Sequence, residues 1–156
     1  VNFSNAVKAT ILSERFKGLD WITPDKNNKE EILDELNSIK KNIDILKKDK
    51  SKKMVFTNYS FFSIVLQDSV NSPTRWFPGD NSAFPQKESK SYNIYKNFLL
   101  KKIQNKKINN IFVINDVSEK NLLNYLNEEC FNKIKVSEHM FKYEINRNCS
   151  DLYGKQ

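Results

Sequence analysis

Met54, Val55 and Phe56 follow one another with no polar residue between them, shortly after a long helical pattern ends. That junction restricts the fold more than any other stretch. Before it, Ile32, Leu33, Leu36, Ile39, Ile43 and Leu46 recur at the spacing of a helix with one buried stripe, predicting a helix over Lys29 to Lys48. Glu30, Glu31, Asp34 and Glu35 fall in its early turns and Lys47 and Lys48 at its end, and both placements suit the helix dipole. After it, Lys53 to Tyr59 reads as a strand apolar on both sides, the pattern of a strand covered on both faces in a parallel sheet.

The remaining elements follow from period and punctuation. In the lead-in, Ala6, Val7, Ile11 and Leu12 suggest an amphipathic turn broken by Gly18, and Leu19 to Ile22 is extended. Ser60 is the expected N-cap of a short helix over Phe61, Phe62, Val65 and Leu66. Asp68 to Glu88 reads as irregular; it holds Pro73, Pro78 and Pro85, and Pro78-Gly79 marks a turn. A connection of about 20 residues without regular structure is unusual in a compact domain and is often functional. Thr74-Arg75-Trp76 predicts a short edge strand inside it. Ser89 or Ser91 opens a helix to about Lys107, with Tyr92, Tyr95, Phe98, Leu99 and Ile103 on its buried side. Ile108 to Asn115 is a second strand, and Ser118 caps a helix over Leu122, Leu123 and Leu126. Lys133 to Val136 and Phe141 to Ile145 are extended, the latter with clean alternation.

This order predicts an α/β fold: a small three-layer sandwich with a largely parallel sheet of three to five strands and right-handed crossovers. It is Rossmann-like without the dinucleotide fingerprint, because Gly18, Gly79 and Gly154 cannot form a G-x-G-x-x-G or phosphate loop. The expected bounds are a lead-in over 1–24, a single α/β domain over 25–149 and a flexible tail over 150–156. The chain starts at Val1 and not at an initiator Met, as expected of a piece of a longer protein.

Chemistry-bearing residues are sparse. His139 is the only histidine, and no G-x-S-x-G elbow accompanies it. Cys130, His139 and Cys149 lack zinc-site spacing, and Asp116 and Glu119 suit helix capping better than cation binding. We therefore expect no catalytic residue, no metal and no cofactor in this chain. The most site-like group is Arg75-Trp76 with Asp80-Asn81 in the long loop. Arginine beside tryptophan holds a phosphate or carboxylate while the ring stacks on a sugar or base. Asn58 and Tyr59, at the strand end, are placed to face the same crevice. The bland alternative has Trp76 anchoring the loop and Arg75 paired with Asp80 or a helix C-terminus. Cys130 and Cys149 are either two buried thiols or a disulfide joining the end of the last helix to the chain after the last strand. A bridge would imply an extracytoplasmic compartment.

The net charge of +7 is uneven: Lys87 to Lys107 holds seven lysines against one acid, Glu88. A solvated helix face is the plain reading and an anionic lipid surface the functional one. Nucleic acid is not expected, since no arginine accompanies these lysines and no binding motif appears. No apolar run approaches the ~20 residues that span a bilayer.

Trp21-Ile22-Thr23-Pro24, the run Lys53 to Ser63 (KMVFTNYSFFS), Arg75 to Asn81 (RWFPGDN) and Tyr95-Lys96-Asn97-Phe98 resemble one family, as do the late Cys130 and Cys149. It is the soluble C-terminal region of uncharacterised multi-spanning membrane proteins from AT-rich bacterial genomes. Those proteins are similar to glycosyltransferases that use lipid-linked sugars, the protein-mannosyltransferase-like class. The resemblance implies a parent with many upstream transmembrane helices and a domain attached to the membrane on its extracytoplasmic (periplasmic) face. In that class the catalytic carboxylate lies in the membrane part, so no catalytic residue carries over.

The leading expectation is a non-catalytic module that helps bind or orient the acceptor or a sugar-phosphate lipid through Arg75, Trp76, Asp80 and Asn81. One alternative is a stand-alone α/β enzyme acting on a phosphorylated small molecule, with Asp116 or Asp80 as acid/base or metal ligand. Another is an interaction module that docks the basic helix Lys87 to Lys107 on a membrane or a partner.

Overall fold

The computed structural model describes residues 3–23, 25–26, 28–68, 70–74, 83–114 and 116–149. The chain divides into two compact units, Val1–Asp49 with Phe61–Asp68, and Lys50–Ser60 with Ser69–Gln156.

The first unit is built on the amphipathic helix predicted from the sequence. A two-stranded antiparallel ribbon, β1 (Val7–Lys8) and β2 (Asp20–Trp21), is followed by helix α1 (Lys29–Lys48). Asn28 caps α1: its side-chain oxygen accepts the Glu31 amide at 2.8 Å, and its side-chain NH2 donates back to the Glu31 carboxylate at 2.8 Å. This satisfies a donor that the first turn leaves orphaned. Ile32, Leu36, Ile39, Ile43 and Leu46 form the buried stripe. The short helix α2 (Phe62–Leu66) belongs to the same unit, and Phe61 meets Phe16 and Trp21 edge-on at 5.9 and 5.5 Å. Ser60 is not its cap; Phe61 occupies that position without a side-chain hydrogen bond, and Gln67 ends the helix at φ 54°.

The second unit holds a four-stranded sheet of order β3-β4-β6-β5, with β3 Lys53–Phe56, β4 Asn110–Ile114, β5 Phe131–Ser137 and β6 Met140–Ile145. Helix α3 (Tyr92–Asn105) precedes β4 and helix α4 (Asp116–Leu123) follows it. Helix α4 starts at Asp116, so Ser118 lies within it and is not its cap. Met54, Phe56, Ile111, Val113 and Tyr143 share one core with Leu99, Leu100 and Ile103 of α3 and with Leu122, Tyr125 and Leu126. The intervening Val55, Phe112, Ile114 and Met140 are buried as well.

The expected largely parallel, Rossmann-like sheet is not what forms. Only β3 and β4 are parallel; β4–β6 and β5–β6 are antiparallel. The cause is local. Only Glu138 and His139 separate β5 from β6, and so short a link permits a hairpin but no crossover. β6 then inserts between β4 and β5. Along β3 the Val55 amide donates to Val70 O at 2.9 Å and the Asn71 side chain to Lys53 O at 2.8 Å, so this edge is covered. β5 carries Lys133, Lys135 and a register shift between Lys135 and Ser137, features that discourage edge pairing. Among the described residues no helix is long and apolar enough to cross a membrane.

Candidate functional site

Arg75, Trp76, Asp80 and Asn81, the site residues expected from the sequence, lie outside the described residues, as do two of the three positions of the expected edge strand Thr74-Arg75-Trp76. The loop that carries them is described at its stems. Asn58 and Tyr59 leave the end of β3 half-buried, and the buried Thr57 hydroxyl accepts the Tyr59 amide at 3.1 Å.

The stems are pinned by tyrosines. Tyr95 of α3 donates to Pro73 O at 3.1 Å, and Tyr125 donates to Pro85 O at 2.5 Å. Lys102 donates to Ser72 O at 2.5 Å, and Tyr92 donates to Asn124 O. Behind these hydroxyls the rings pack together: Tyr95 on Tyr125 at 4.8 Å, Tyr92 on Tyr125 at 5.3 Å, and Phe84 between Phe56 and Tyr95 at 5.8 and 6.1 Å. Each tyrosine ring supplies apolar area while its hydroxyl satisfies a backbone carbonyl. Burial pushes the Tyr125 hydroxyl up to about 12, helped by Tyr92 beside it. Burial, with Tyr125 nearby, raises Tyr95 further still. Both therefore stay protonated donors beyond the ordinary tyrosine range.

A groove of about 660 Å³ opens beside these anchors, lined by Pro73, Thr74, Ala83, Tyr95, Phe98, Lys101, Lys102, Asn105 and Lys106. Its volume is within the ~300–1,000 Å³ usual for small-ligand sites. The Lys102 ammonium sits 5.6 Å from the centre of the Phe98 ring. Among the described residues no ion pair joins Lys101 or Lys106 to a carboxylate. The groove thus combines aromatic walls with a rim of ammonium groups. No described lining side chain is a carboxylate, histidine or cysteine. That set suits holding an anion with an apolar or sugar body better than moving a proton.

Phe98 departs from its expected place. The sequence puts it on the buried side of its helix, yet it is 50% exposed, while Leu100 is buried. The core lies toward Leu99, Leu100 and Ile103, and the helical turn carries position 98 away from it.

At the far end of the sheet a second polar cluster is closed. The Glu119 carboxylate accepts from the Tyr143 hydroxyl and pairs with Lys133, and its side chain is 16% exposed. Lys133 also lies 4.2 Å from the Phe141 ring centre. Burial would raise the Glu119 carboxyl, but the hydrogen bonds from Lys133 and Tyr143, with the Lys133 charge, outweigh it and hold the group below its ordinary value. Cys130 and Cys149 are bridged, with Cα atoms 5.4 Å apart. Cys130 ends a 3-10 turn, Glu128–Cys130, and not α4. The Asn146 amide donates to Cys130 O at 2.9 Å, so the bridge closes the open end of the β5–β6 hairpin. A bridged Cys130 offers no thiolate, and His139 is an exposed side chain at the hairpin turn. Among the described residues no group of three or more His, Cys, Asp or Glu could hold a metal ion.

The stem anchors Tyr95 and Tyr125 lie on different segments, and no local pattern pairs them with Pro73 and Pro85. Nothing in the sequence pointed to the pairing of Glu119 with Tyr143, which depends on the antiparallel insertion of β6. Compared with protein-family models, curated proteins and solved structures, the chain matches none.

Proposed function

We propose that this chain is a non-catalytic recognition module of a membrane protein resembling lipid-linked-sugar glycosyltransferases, and that its groove receives the head of a sugar-phosphate lipid. The observation that carries the reading is the groove beside α3, lined by the aromatic Tyr95 and Phe98 and by Lys101 and Lys106, which pair with no described carboxylate. Ammonium groups bind phosphate as point charges, and aromatic faces take the apolar and sugar parts. The loop that carries Arg75 and Trp76 springs from stems fixed by Tyr95 and Tyr125, so those residues are candidates for the same ligand. The bridge between Cys130 and Cys149 supports placement on the extracytoplasmic (periplasmic) face, where disulfides persist.

Isothermal titration with a short-chain, water-soluble isoprenyl-phosphate sugar tests this. The parent chain binds it, and it binds the phosphate-free glycoside at least about tenfold more weakly, the difference a charge-assisted hydrogen bond supplies. The double substitution Lys101→Glu with Lys106→Glu abolishes the preference. Equal affinity for the two compounds, or a double variant that binds as the parent does, refutes the reading.

A further inference from the structure

We infer that the outward face of α3 docks on an anionic lipid bilayer, with Ile94 and Phe98 entering the headgroup layer and Lys90, Lys101 and Lys106 held at the phosphates. Three observations converge. Ile94 is 73% exposed and Phe98 50% exposed, and they stand four positions apart, one above the other on a helix. That face is turned away from the core positions Leu99 and Ile103. Seven lysines and a single acid occupy Lys87 to Lys107, and no ion pair joins Lys90, Lys101 or Lys106 to an acid among the described residues.

Charge complementarity decides the occupant. Exposed apolar side chains on a lysine-rich segment are the pattern of an interfacial helix: the apolar groups enter, and the lysine stems lie along the apolar surface with the charge in water. A protein partner would more often be met by tryptophan, tyrosine and arginine, and no arginine lies between Lys87 and Lys107. Lysine, a compact hydrated charge, suits the diffuse field of an anionic leaflet. The inference does not depend on what fills the groove. If both hold, the groove opens beside the docked face, because Phe98 and Lys101 belong to both.

Co-sedimentation of the whole chain with lipid vesicles tests the inference. With phosphatidylglycerol and phosphatidylcholine in about equal parts the chain binds, and with phosphatidylcholine alone it does not. Raising salt releases it. Lys101→Gln with Lys106→Gln lowers the partition coefficient about 30-fold, since each lysine near such a surface contributes about fivefold. Ile94→Ser lowers it about tenfold, and Ile94→Trp raises it, a gain that unfolding cannot mimic. Equal binding to neutral vesicles, absence of binding, or insensitivity to both Ile94 substitutions overturns the inference. These vesicles carry no lipid-linked sugar and Ile94 does not line the groove, so this failure is distinct from failure of the titration with isoprenyl-phosphate sugar.

Discussion

The two ends of the sheet-bearing unit treat their polar groups in opposite ways. At the hairpin end Glu119 is held by Lys133 and Tyr143, and Cys130 is bonded to Cys149. The titratable and reactive groups there are spent on each other. Along α3 the hydroxyls of Tyr92, Tyr95 and Tyr125 are spent on the backbone, while Ile94 and Phe98 face solvent and Lys101 and Lys106 pair with no described carboxylate. The hairpin end is saturated by its own partners, whereas the α3 end leaves Ile94 and Phe98 exposed. Glu119, a described carboxylate held below its ordinary value, belongs to the saturated end.

Substitutions can break that comparison, beginning with the largest effect on stability. Replacing Cys130 and Cys149 by serine costs about 3 kcal/mol, because the bridge closes a 19-residue separation in the unfolded chain. Denaturant unfolding with and without reductant measures it. Glu119→Gln costs about 2 kcal/mol by weakening charge-assisted hydrogen bonds to Lys133 and Tyr143. The Glu119 carboxyl is depressed in the folded state, so its stabilisation is present above the ordinary carboxylate pKa and is lost as pH falls through the lower, folded value. Unfolding curves across the acid range should show that limb flattened in the variant.

Tyr125→Phe costs about 1 kcal/mol through the lost bond to Pro85 O. The hydroxyl is raised from 10.0 to about 12, so its contribution is whole below pH 10 and fades as pH rises from there through about 12. The variant loses that alkaline dependence, which thermal unfolding at stepped pH detects. Smallest are Ile94→Ser and Lys101→Gln, within about 0.5 kcal/mol of the parent, as for exposed positions generally. A larger loss at either site, seen in the same denaturant titration, would move α3's outer face into the structural class and erase the contrast.

Much of this was legible in the residues, and the misses have definite causes. Helix α1 was readable because its stripe, its acidic start and its basic end all agree. β3 and β4 were readable as buried strands from their apolar runs. Strand direction was not, because Glu138-His139 lacks the glycine or asparagine that announces a hairpin, and one parallel pair was extended to the whole sheet. Phe98 reads as part of the buried side of its helix, but an apolar residue is free to be exposed, and it is. Asn58 and Tyr59 follow β3 and are half-buried, whereas Tyr95 and Tyr125, which fix the stems of the long loop, required the packing of α3. The groove needed three separate segments to meet, and no local pattern encodes that.

The contrast is tested most directly by mapping amide chemical shifts of the isotope-labelled chain during titration with an isoprenyl-phosphate sugar. Shifts should concentrate at Tyr95–Lys106, Thr74 and Ala83 and leave Glu119, Cys130, Lys133 and Cys149 unmoved. Shifts centred on the β5–β6 hairpin, or none at saturating ligand, would contradict the account.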